Sequence, residues 1–126
     1  MFRVENNKIT ITRGDTGSLL VRATDHEFTA NDRALFTIAN NRRRVVLQRI
    51  YPLVDNAFTV VFAPDDTKDW SAGNYQWEVR YFMNATVDGN RITAGQEVNT
   101  PQEKPFEMSV LDAIGEFGPV EAGEGA

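Results

Sequence analysis

Apolar and polar positions alternate over short runs along this chain, and turn residues separate the runs. Residues 8–12 place Ile9 and Ile11 on one face and polar side chains on the other, the period-2 signature of a half-buried strand. Comparable strands are predicted over 18–24, 34–39, 44–51 and 57–62. The clearest lies over 74–82, where Tyr75, Trp77, Val79 and Tyr81 share one face and Gln76, Glu78 and Arg80 share the other. A last strand is predicted over 106–110. The breaks carry turn chemistry: Gly14 and Gly17, Asn31-Asp32, Asn40-Asn41, Pro52, Pro64, and Asp88-Gly89 between two β segments. Asn40-Asn41 reads as a hairpin turn on the ground that Asn tolerates positive φ. Only 64–70, opened by proline and early acids, reads as a helical turn. Many short strands without βαβ alternation predict an all-β fold, two antiparallel sheets packed as an immunoglobulin-like sandwich.

Length fits one domain: 126 residues bury roughly two-thirds of their unfolded surface, enough for a core without cross-links. The sandwich is expected over 1–111, followed by a Gly/Glu-rich tail or assembly arm over 112–126. That tail has acids, no basic residue, and only Ile114, Phe117 and Val120 as large apolar groups. It is expected either to remain disordered or to order against a neighbour.

The absence of cysteine excludes disulfides, thiolate catalysis and thiolate metal sites. The first residues lack the apolar stretch of a signal peptide, and no run approaches the roughly 20 apolar residues of a membrane span. Synthesis in a cytoplasm is expected. A net charge of −5 disfavours general affinity for nucleic acid or anionic membrane.

Asp69 to Trp77 is similar to the entry of strand F in immunoglobulin-like sandwiches, with Tyr75 as the tyrosine-corner residue. Trp77 would then fill the inter-sheet place that a strand-F cysteine takes elsewhere. The chain from Lys8 to Val110 resembles the immunoglobulin-like domains of phage tail and baseplate proteins. The segments that carry this resemblance are Ile9 to Thr16, Phe58 to Phe62 and Ala72 to Val79. The resemblance implies a non-enzymatic virion structural protein, in tail, baseplate, neck or capsid decoration. Its expected partners are other virion proteins and further copies of itself, with neither nucleic acid nor membrane. A free-standing single domain is expected here, whereas baseplate relatives usually carry a further receptor or assembly domain.

Candidate chemistry is sparse. Arg13-Gly14-Asp15 matches an adhesive tripeptide but reads better as a turn. His26 is the lone histidine, so a triad has no base beyond it, and no Gly-x-Ser-x-Gly elbow occurs. Asp65, Asp66 and Asp69 lack the spacing of a calcium loop. No catalytic, cofactor or metal site is therefore expected. The candidate interaction residues are Arg42, Arg43 and Arg44, suited to carboxylate or phosphate, and Phe117. An alternative function is a carbohydrate-binding or adhesion module on a phage or bacterial surface, with Trp70 and Tyr51 as sugar-stacking candidates.

Overall fold

A computed structural model describes residues 1–24, 26–98 and 105–112. The chain forms β1 (Phe2–Glu5), β2 (Lys8–Thr12), β3 (Gly17–Arg22), β4 (Arg33–Asn40), β5 (Val45–Pro52) and β6 (Ala57–Phe62). A single helical turn, α1 (Pro64–Thr67), precedes β7 (Gly73–Asp88), β8 (Arg91–Val98) and β9 (Phe106–Leu111). Among the described residues, one sheet runs β1-β2-β9-β7-β4-β5, with β8 paired to the far half of β7, and a second sheet consists of β3 and β6. The expected all-β sandwich is formed. The segment 113–126, which contains most of the predicted tail and Phe117, lies outside the described residues.

Alternation decides which residues meet between the sheets. Ile9, Ile11, Phe36, Ile38, Trp77, Met108 and Val110 face inward from the large sheet, and Leu19, Phe58, Val60 and Phe62 face inward from the small one. Phe36 ties the layers together, with its ring centroid 5.7 Å from Trp77 and 6.4 Å from Phe62. Tyr51 stacks on Phe58 at 5.0 Å where β5 passes β6. Trp77 also packs against Phe106 at 4.6 Å, and its indole N–H donates to the Asn7 carbonyl at 3.1 Å. The Tyr75 hydroxyl donates to the Ser71 carbonyl at 2.7 Å, pinning the entry of β7, and its ring stacks on Trp70. Burial pushes the pKa of the Tyr75 hydroxyl up.

Three features differ from the alternation pattern. First, β2 and β9 pair parallel, so the large sheet is mixed rather than wholly antiparallel. No hairpin joins these strands, and turn geometry therefore does not impose their direction. Second, an extra strand, β1, precedes β2. Asn6 and Asn7, both at positive φ, make the tight turn between them. Phe2 from β1 lies over Gly17, where a Cβ would overlap its ring.

Third, β7 continues to Asp88, well past its pairing with β4, and forms a long hairpin with β8. Bulges at Met83/Thr86 and Thr86/Val87 bend this hairpin. Gly95 is at φ 146, and a Cβ there would come within 3.2 Å of the Ala85 backbone. The bend is fastened to the loop before β4. Asn84 N–H donates to the Asp32 carboxylate at 3.0 Å, and Ala85 N–H donates to the Asn31 carbonyl at 3.0 Å.

Candidate functional site

The candidate surface is the β4–β5 hairpin. Residues 33–52 hold five arginines and no acid, in a chain of net charge −5, which leaves the other residues at −10. Two of the five arginines serve the fold. Arg49 reaches from β5 to the second sheet, donating to the Val61 carbonyl at 2.9 Å and to the Asp66 carboxylate at 2.7 Å. Arg33 donates to the Ala30 and Asp32 carbonyls, both at 2.8 Å.

Arg42, Arg43 and Arg44 form the tip. Their side chains are exposed, and none makes an ion pair with a described residue. The backbone beneath them is organised by Asn40, whose side-chain oxygen accepts from Arg42 N–H at 2.9 Å and Arg44 N–H at 3.0 Å. Arg43 N–H donates to the Asn40 carbonyl, and Asn40 N–H to the Arg44 carbonyl, both at 2.9 Å. This corrects the reading of the turn: the residue at positive φ is Arg43, at 63°, rather than Asn40 or Asn41. Asn40 acts as a side-chain acceptor, the other property that suits Asn to turns. The tip thus presents three guanidinium groups on a braced loop, an arrangement suited to carboxylates or other oxyanions.

Beside the tip, β5 is the last strand of the large sheet, and no described strand pairs with its outer edge. Its first residue, Val45, is 57% exposed. An open groove of about 500 Å³ lies between β5 and the β7–β8 hairpin, lined by Arg33, Gln48, Ile50, Val87, Gly89 and Asn90 among others. The guanidinium of Arg33 is bonded to backbone, and Gln48 donates to Thr37 at 3.0 Å. Those two polar groups therefore serve the fold.

The other sequence candidates are separated from one another. Arg13-Gly14-Asp15 is a turn in which each residue has an internal partner. Arg13 pairs with Asp112 at 2.6 Å, Gly14 N–H donates to the buried Thr67 hydroxyl at 2.9 Å, and Asp15 pairs with the amino group of Met1. Gly14 takes φ 81, which explains glycine there. His26 lies against Phe28. Asp65 pairs with Lys68 at 3.0 Å, while Asp66 accepts from Ala63 N–H at 2.7 Å and from Arg49. No group of three potential metal ligands comes together among the described residues. Trp70 and Tyr51 are both partly buried and packed on core aromatics, and they form no shared platform.

Sequence reasoning found the arginine tip but missed the open edge of β5, because strand order is set by pairing across the whole chain. The acid-free stretch 33–52 was the available signal. Compared with protein-family models and with curated proteins, the sequence matches none.

Proposed function

We propose that this chain is a non-enzymatic structural protein of a phage particle, in tail, baseplate, neck or capsid decoration, which works by protein–protein assembly. It is made in the host cytoplasm and takes its place in the virion beside other virion proteins and further copies of itself. The observation that carries the reading is the charge partition. A braced tip of three arginines, unpaired among the described residues, stands on a protein whose other residues are strongly acidic. Such a surface is complementary to the rest of its own molecule and to acidic partners. The resemblance to phage immunoglobulin-like domains points the same way.

The competing glycan-binding reading needs exposed aromatic rings, and Trp70 and Tyr51 are packed on Tyr75 and Phe58 instead. The test is the salt dependence of association for wild type and for a variant with Arg42, Arg43 and Arg44 all changed to Gln. Wild type should associate at low ionic strength and dissociate near 1 M salt, where screening acts within about 3 Å. The variant should remain monomeric throughout. Unchanged association in the variant would remove the arginine tip from the proposal.

A further inference from the structure

The far half of the β7–β8 hairpin is joined to the rest of the molecule by few contacts. Arg33, the first residue of β4, pairs with Phe82, so beyond that point β7 has β8 as its only strand partner among the described residues. From Asn84 to Gln96 only Ala85 and Ile92 are even partly buried. A lone two-stranded hairpin is marginal in water, and an element with little buried apolar surface opens well below the free energy of global unfolding. This hairpin nevertheless bends back over the sheet. Val87, Gly89 and Asn90 form one wall of the open groove, and Gln48 and Ile50 of β5 belong to the other.

The root of the bend contains both a hinge and a fastening. Bulges fall between Met83 and Thr86 and between Thr86 and Val87, Asn84 takes φ 51, and Gly95 faces them at φ 146. Bulges interrupt the ladder, so the strands yield there first. The fastening is the loop before β4. Asp32, only 4% exposed, accepts from Thr29 N–H of its own loop at 2.7 Å and from Asn84 N–H of the hairpin at 3.0 Å. Ala85 N–H donates to the Asn31 carbonyl at 3.0 Å. A bond accepted by a carboxylate is roughly twice as strong as a neutral one.

We propose that residues 84–95 form a latched arm. Release of Asn84 and Ala85 from Asp32 and Asn31 swings the hairpin end off the groove beside β5 while the sandwich stays folded. The arm thereby controls access to Gln48 and Ile50, on the same β4–β5 hairpin that carries the arginine tip. This device goes beyond the assembly reading and does not depend on it.

The test is amide exchange, followed residue by residue by NMR across low denaturant concentrations in wild type and Asp32→Asn. In wild type, the arm amides should exchange on the order of a hundredfold faster than those of Phe36 and Ile38, through an opening insensitive to denaturant. In Asp32→Asn, the arm amides, Asn84 and Ala85 included, should exchange about tenfold faster still. Because the chain has no cysteine, an Ile50→Cys protein carries a single thiol in the groove. Its reaction with a bulky maleimide should accelerate several-fold when Asp32→Asn is added.

If the wild-type arm amides exchange only with the core, through denaturant-sensitive unfolding, the arm does not open by itself and the proposal is overturned. If Asp32→Asn leaves arm exchange unchanged, the Asp32 latch is overturned. If arm exchange accelerates but the Ile50→Cys thiol reacts at its original rate, control of the groove is overturned.

Discussion

At the scale of single residues, two polar groups anchor the ends of the functional frame. The Tyr75 hydroxyl, bonded to the Ser71 carbonyl, fixes where β7 begins. Tyr75→Phe keeps the ring and its stacking on Trp70 but removes that bond. It should cost about 1 kcal/mol in denaturant unfolding. Phe36→Ala, which empties the contact between the sheets, should cost about 3–5 kcal/mol.

Asp32 fixes the bend of the β7–β8 hairpin. Burial alone would raise its carboxyl pKa. Thr29 and Asn84 N–H, the Thr29 hydroxyl and the charge of His26 outweigh this and hold the pKa below its ordinary value of 3.8. A depressed carboxyl stabilises the fold above the unfolded pKa, and the contribution is lost as pH falls through the folded value. Wild type should therefore lose thermal stability below about pH 4. Glu97, lowered by its hydrogen bonds to Arg80, loses stability in the same direction. The difference between wild type and Asp32→Asn isolates Asp32, and the variant should show the shallower acid decline.

At the scale of elements, hairpins decide what the molecule presents. The β4–β5 tip keeps its shape because the Asn40 side chain occupies two backbone N–H groups that would otherwise face solvent. Asn40→Ala should lower stability by about 1 kcal/mol. It should also speed amide exchange at Arg42 and Arg44 by NMR, leaving β7 unaffected. The strands themselves were legible in alternation: Ile9 with Ile11, and Tyr75 with Trp77, Val79 and Tyr81, face inward as their spacing requires.

What alternation left hidden has physical causes. The run Phe2-Arg3-Val4-Glu5 is too short to stand out, and it becomes a strand only because Asn6-Asn7 folds it onto β2. The reach of β7 to Asp88 depends on two bulges and Gly95, which shift register in a way that a period-2 count does not register. The parallel β2–β9 pairing and the edge position of β5 arise from contacts distant in sequence.

At the scale of the whole molecule, residues 33–52 carry five arginines and no acid, while the other residues sum to −10. Asn40 bonds brace the tip, Arg49 bonds the hairpin to β6 and Asp66, and the edge of β5 beside it is open among the described residues. The RGD turn, Asp65 and Asp66 each have partners within the chain. Assembly is the activity we propose for this distribution. The most direct test is mass in solution by light scattering, on the full chain and on a truncation ending at Leu111, across concentration at low salt. The account predicts defined oligomers or growing filaments for the full chain and a folded monomer for the truncation. A monomeric full chain at every concentration would contradict self-assembly through this surface.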